Sequence, residues 1–199
     1  FRFDVRFKAD APRWGLGFYL RDRLGTDVVG INTFQEGLAL EPNAAHLYVA
    51  RGLCLGNLGE RPAAIMCFDQ AIAIDATLAD AWFHKADFLE TLNQLDDSLS
   101  CYDEALKLDP THAQAACDRG HVLNRLRRTP EALESFKRAI TPAPNHSIAW
   151  FNKGGAELAL KNFASAAASF EKFLTLANPA RDGQAIAHAR GVLSQLKAT

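Results

Sequence analysis

No stretch of eighteen apolar residues occurs in this chain, so no segment of it is read as a membrane-spanning helix. Charge of one sign is also lacking: 22 Lys and Arg, well interspersed, stand against 23 Asp and Glu, a formal net charge of −1. Phosphate binding draws on clusters of Lys and Arg, so this balance argues against nucleic acid as the main partner. Among the four cysteines there is no C-x-x-C, and Cys67 and Cys101 occupy equivalent places in a recurring pattern. Stacked repeats lie about 10 Å apart by helix packing, too far for a disulfide. That is the thiol usage of a reduced, cytoplasmic setting. The G-x-S-x-G elbow, the G-x-x-x-x-G-K loop, the dinucleotide fingerprint and H-E-x-x-H are missing as well, which points away from an enzyme and gives no reason to expect a cofactor. The first residue is Phe rather than Met and no secretory signal pattern follows, as in a segment of a longer chain.

What the chain does have is a repeat. With 199 residues, 48% of them hydrophobic, it has the means for a sizeable core. Tyr48, Trp82 and Trp150 share one phase of a 34-residue period; Gly52, Ala86, Gly120 and Gly154 share a second. Ala64, Ser98, Ala132 and Ala166 mark another small position, and Phe68, Tyr102, Phe136 and Phe170 a large aromatic one. Ala71, Ala105 and Ala139 follow three residues later, and Pro42, Pro110 and Pro144 close the units. Fixed periods of this length mark solenoids.

In that order of aromatic, small, small, aromatic, alanine and proline, the chain resembles the tetratricopeptide repeat (TPR) from about Ala45 to Asn178. The resemblance implies an all-α, right-handed superhelix of antiparallel helix pairs, a helical solenoid acting as a protein-binding scaffold. Repeats are expected near 45–78, 79–112, 113–146 and 147–178 in an array over 35–178, with a segment at 1–34 before it and a capping helix at 179–199. Helices are read at Ala45 to Leu58 with Pro62 to Asp75, and at Ala79 to Asn93 with Leu95 to Asp109. The later pairs are Ala113 to Leu126 with Pro130 to Thr141, and Ser147 to Lys161 with Phe163 to Ala177. Pro62 and Pro130 fall in first turns, where a missing amide is harmless. Ala116 stands in place of tryptophan, Ala76 in place of proline, and Phe173 in place of alanine in the last unit.

Asn178 and Pro179 read as the start of a last helix, Ala180 to Lys197, with Ala185, Ala189, Val192, Leu193 and Leu196 on one apolar stripe and Arg181, Gln184, His188, Arg190 and Gln195 facing water. Such a polar-backed helix closes a solenoid, and Phe173 is expected beneath it. At the other end, FRFDVRF alternates with period two, and WGLGFYLRD and DVVGINTF are aromatic and β-branched, so strands are read to about Gly30 and a helix from there through Glu41. Trp14, Gly25, Phe34 and Pro42 also fall in phase with a degenerate first repeat. GFYLRDRLGTDVVGINTF is similar to part of the carbohydrate-binding C-terminal domain of ABC exporters for O-antigen polysaccharide, which implies, as an alternative, an accessory role in surface-polysaccharide synthesis or export.

In the repeat family the first helix of each unit lines a concave groove. Carried onto this chain, the groove residues are Val49, Leu53 and Asn57; Asp80, Phe83, His84 and Asp87; Gln114, Asp118, His121 and Arg125; and Phe151 and Asn152. Some members grip a partner's C-terminal carboxylate with Lys, Arg and Asn at positions that here hold Val49, Leu53, His84, Gln114 and Asp118, which argues against that ligand. Phe83 and Phe151 read as exposed apolar anchors, with Asp80, Asp87 and Asp118 selecting a basic or amphipathic peptide. His84 with Asp87 and Asp118 with His121 lie three apart on single helix faces, so His84 should face Asp118 and Asp87 should face His121. The same cluster, with Cys117, offers a lesser reading as a metal-dependent activity, and Cys117 with His121 has the spacing of a crude dyad. An imperfectly capped N-terminal face would permit self-association. The aromatic stripe reads as core, and Trp82→Ala would cost about 3 to 5 kcal/mol were the ring fully buried; a loss under about 1 kcal/mol in denaturant titration would show the helix phase to be wrong.

Overall fold

The computed structural model describes residues 4–7, 18–21, 27–29 and 44–197. The helix expected from Gly30 to Glu41, and the landmarks Trp14, Gly25, Phe34 and Pro42, lie outside the described residues. The chain divides into two compact units, Phe1–His84 and Lys85–Thr199.

In the first unit three short strands, β1 (Asp4–Phe7), β2 (Phe18–Arg21) and β3 (Asp27–Val29), pair antiparallel in the order β1-β2-β3, with Val5 opposite Leu20 and Leu20 opposite Val29. Helices α1 (Ala45–Asn57) and α2 (Arg61–Ile74) follow and pack on one another. Helix α3 runs Ala79–Thr91. The second unit continues with α4 (Leu95–Leu108), α5 (Ala113–Arg125), α6 (Thr129–Ile140), α7 (Ser147–Ala159), α8 (Phe163–Leu176) and α9 (Gly183–Lys197), each packed against the next. In the described repeats the period places every helix end within two residues of its observed position, because the landmarks that carry the period are the packing residues themselves.

Phe68, Tyr102, Phe136 and Phe170 are each fully buried. Each phenylalanine ring lies on the glycine sixteen positions earlier on the preceding helix: a Cβ added to Gly52 would come within 2.6 Å of the Phe68 ring, and one added to Gly120 within 2.5 Å of Phe136. Glycine there lets the two backbones approach at the distance the ring requires. In α3 and α4 the pair is Ala86 and Tyr102, both without exposed surface, and the Ser98 hydroxyl donates to the Ala86 carbonyl at 2.8 Å.

Within each pair the turn recurs with the repeat. Gly59, Asn93, Arg127 and Lys161 all have positive φ, at 84°, 61°, 62° and 62°. The next amide (Glu60, Gln94, Arg128, Asn162) donates back five residues to the carbonyl of Leu55, Leu89, Leu123 or Glu157 at 2.8 to 3.0 Å. This is the Schellman termination, whose left-handed residue is most at ease as glycine. Between units, the Asp75 and Asp109 carboxylates accept from both the amide and the hydroxyl of Thr77 and Thr111. The turn at Ala76 is thus tied as firmly as the one with proline at 110.

Two expectations are corrected. Trp82 and Trp150 are half-buried, because an indole N–H needs a partner: each donates to the carbonyl six residues upstream, Ala76 at 3.1 Å and Pro144 at 2.8 Å. They clip the turn to the helix instead of filling the centre of the core. The last helix begins at Gly183 and not Ala180, because Asn178 to Asp182 close a separate turn in which the Asp182 carboxylate accepts from the Asn178 amide at 2.8 Å. Phe173 does lie under that helix, with Phe170, Ala189, Val192 and Leu193.

Gly120→Ala should therefore destabilise the chain by about 1 to 3 kcal/mol through overpacking on Phe136, whereas Arg127→Gly and Lys161→Gly should each stabilise it by about 1 kcal/mol by relieving a left-handed residue. Urea titration followed by circular dichroism checks both signs, and Trp82→Ala should cost less than Phe136→Ala.

Candidate functional site

Spacings of four, three and four put Gln114, Asp118, His121 and Arg125 on one face of α5. Opposite them, the later half of α3 supplies Asp87, Glu90 and Thr91, and the seven residues line a pocket of about 560 Å³. Asp118 accepts from the Gln114 amide with both carboxylate oxygens, each at 2.9 Å. Glu90 takes His121 Nδ1 at 3.0 Å and Arg125 Nη1 at 3.1 Å on one oxygen, while Arg125 Nη2 also donates to the Asn93 side chain at 2.7 Å. His121 thus pairs with Glu90, one turn beyond Asp87, which had been expected to face it.

Three carboxylates share this pocket with one histidine and one arginine. Burial, then the neighbouring charges of Asp87 and Glu90, push Asp118 up to about 6 against the opposing pull of the Gln114 hydrogen bond. Burial and Glu90 raise Asp87 too. Glu90 is held below its ordinary value by His121 and Arg125, which outweigh its burial, and its hydrogen bond raises His121 in turn. Beneath them lies Tyr102, fully buried, where the corresponding core ring of α2, α6 and α8 is phenylalanine; burial and the charges of Asp118, Asp87 and Glu90 raise its phenol.

The orientation of Gln114 is fixed from the next repeat. His146 Nδ1 accepts from the Ala149 amide at 3.2 Å at the start of α7, so the neutral ring carries its proton on Nε2, which donates to Gln114 Oε1 at 3.0 Å. The Gln114 NH2 is thereby turned onto Asp118. A cap and a groove carboxylate are linked by one hydrogen-bonded chain.

A second pocket of about 550 Å³ lies between α7 and α9, lined by Ile148, Phe151, Asn152, Phe173, Arg181, Asp182, Gln184, Ala185 and His188. Phe151 is not the exposed anchor expected of it: its ring lies 5.0 Å from Phe173 and 5.8 Å from both Phe170 and His188, because α9 closes over it. The exposed apolar side chain at this slot is Ile148, at 47%. Asn152 points back to Cys117 Sγ at 3.9 Å.

Of the residues assigned to the groove, Asp87, Gln114, Asp118, His121 and Arg125 line the first pocket, and Phe151 and Asn152 line the second. The remaining assigned residues belong to the first unit. Val49 is buried, a core residue and not a groove contact; Leu53 is half-buried; Asn57 and Asp80 are exposed. Phe83 is half-buried with its ring 5.0 Å from His84, which lies 6.0 Å from Phe68. Sequence reasoning missed Glu90, His146, Ile148 and the α9 residues. Glu90 had a signal, since it follows Asp87 by three on the same helix face.

Burial also speaks against a dyad of Cys117 and His121. Cys117 is 1% exposed and its thiol is pushed up to about 12, while His121 is engaged by Glu90; a thiol so protonated is no nucleophile. Among the described residues, no three His, Cys, Asp or Glu side chains are grouped to hold a metal ion. No helix among them is long and apolar enough to cross a membrane.

The family model described as Tetratricopeptide repeat matches residues 55–113, 83–147 and 117–182. The chain belongs to the tetratricopeptide repeat family. No curated protein matches it. Among solved structures, YrrB, described as a TPR protein with an unusual peptide-binding site, superposes with a TM-score of 0.72 at 19% identity, covering 83% of this chain and 82% of its own. MamA superposes at 0.68 with 20% identity over 73% of this chain and 85% of its own, and pilF of Pseudomonas aeruginosa at 0.63 with 24% identity over 76% of each. Identities this low establish a shared TPR fold and no more. The match to the family begins at residue 55, and the similarity of residues 17–34 to exporter domains finds no support in it.

The pocket predicts how stability depends on pH. Asp118 is raised in the folded chain, so the unfolded state ionises first and stability falls as pH rises from about 4 through about 6. His121 acts in the same sense: its contribution is full below its unfolded value and is lost as pH rises through the raised folded one. Glu90, lowered, contributes above its unfolded value and is lost as pH falls. Urea midpoints should peak near pH 5, and Asp118→Asn should raise stability at pH 7.5, by on the order of 1 kcal/mol after solvent screening, with no gain at pH 4.

Proposed function

We propose that this chain is a non-catalytic scaffold that holds a segment of a partner polypeptide in the groove lined by α3, α5, α7 and α9. The observation that carries the reading is the acidic pocket of Asp87, Glu90 and Asp118. Structural needs alone would place few carboxylates together at a cost in ionisation, and a cationic ligand offsets that cost. The fold supports the reading in general terms, and YrrB is a member of this fold described with a peptide-binding site. The partner is accordingly expected to carry positive charge.

Selection of a random twelve-residue peptide library on the purified chain, followed by fluorescence anisotropy, tests this. Enriched peptides should weaken markedly on Asp87→Asn with Asp118→Asn, and the salt dependence of the remaining affinity should flatten. Peptides that bind the double variant as tightly as the parent, or a library that yields none, would sink the groove reading.

A further inference from the structure

The acidic pocket and the apolar slot are linked through the neighbouring helices α5 and α7. Gln114, which lines the first, is hydrogen-bonded to His146 at the head of α7, and Asn152, which lines the second, reaches Cys117 on α5. Their characters differ sharply. The first presents the carboxylates of Asp87, Glu90 and Asp118, of which Glu90 is ion-paired with His121 and Arg125 while Asp118 is hydrogen-bonded by a neutral amide. The slot is floored by Phe151 and Phe173, with Ala185 beside them and Ile148 exposed at its edge, and its one arginine, Arg181, is paired at 2.8 Å with Asp182. The slot therefore offers a charged ligand group little, and the pocket offers an apolar one little.

Resting on the groove reading above, we propose that the occupant is a single extended peptide strand that seats an aliphatic side chain in the Ile148–Phe151–Phe173 slot and a Lys or Arg about six residues away against Asp87 and Asp118. The spacing follows from the helices. The pocket lies between α3 and α5 and the slot between α7 and α9, two repeats on; at about 10 Å per packed helix the separation is roughly 20 Å, which an extended chain covers in about six residues. A helical peptide rises only about 1.5 Å per residue and would need more than a dozen residues for the same span. Charge complementarity decides between occupants: a cation between Asp87 and Asp118 relieves their repulsion, whereas an acidic or neutral strand leaves it in place.

The peptides enriched in the library selection supply the test. Their sequences should pair a basic with an aliphatic residue at a spacing of five to seven. For one such peptide, Asp118→Asn should weaken binding about tenfold, and should have under about twofold effect on the same peptide with norleucine in place of its Lys. Ile148→Asp should weaken both forms alike. Asn at 118 preserves the acceptor for Gln114, and circular dichroism confirms that each variant is folded. Enriched peptides without a preferred spacing, or whose Lys is insensitive to Asp118→Asn, overturn the two-point mode, and the groove reading still stands provided the Asp87→Asn, Asp118→Asn double variant weakens them. Loss of binding altogether in the parent chain overturns both.

Discussion

The contact on which the rest depends is a buried aromatic ring laid against a residue with almost no side chain. Phe68 on Gly52, Phe136 on Gly120 and Phe170 on Gly154 set how closely the two helices of a pair approach. Interiors are packed like crystals, so the ring admits no methyl group at Gly52 or Gly120 without a shift. Within the second unit each pair is closed by a buried aromatic ring and a left-handed turn, so α5 and α7 present equivalent positions to the same side. The groove is a by-product of that regularity, and its chemistry is whatever the free positions happen to hold.

That separation of packing from groove explains what the sequence made legible. Landmarks that repeat are those the backbone constrains, so helices α1 to α8 could be placed to within two residues and the burial of Phe173 anticipated. Positions that face the groove do not repeat. Asp87, Asp118 and His121 could be assigned to one surface by helix spacing, but the partner of His121 depended on which side chain of α3 reaches across, and Glu90 lies one turn nearer to it than Asp87 does.

Other misses have their own physics. Trp82 and Trp150 fit the aromatic stripe by period, yet their indole N–H groups each require an acceptor, found at a turn carbonyl, so the rings stay half out of the core. Phe151 read as exposed because it falls one residue beyond the Trp150 landmark. The helix α9 instead brings His188 and the apolar slot over its ring. Departures from the period are thus where structure particular to this chain collects: Tyr102 under the carboxylates, and Glu157 at a place held by leucine in α1, α3 and α5. The latter is tolerated because Lys153 at 2.7 Å and the Ser169 hydroxyl at 2.6 Å satisfy it.

Asp118 brings these strands together. Its carboxylate is half-buried, has two acidic neighbours, and is compensated within the pocket chiefly by an amide that His146 holds in place from the following repeat. A buried charge met only by a neutral donor is a stability cost, and an asparagine would fit the same hydrogen bonds without it. Glu157 shows how this chain disposes of a carboxylate that serves packing: it is given a lysine. Asp118 is given none, and the arginine nearest to it is turned onto Glu90 and Asn93. A cation brought by the proposed partner would offset that cost.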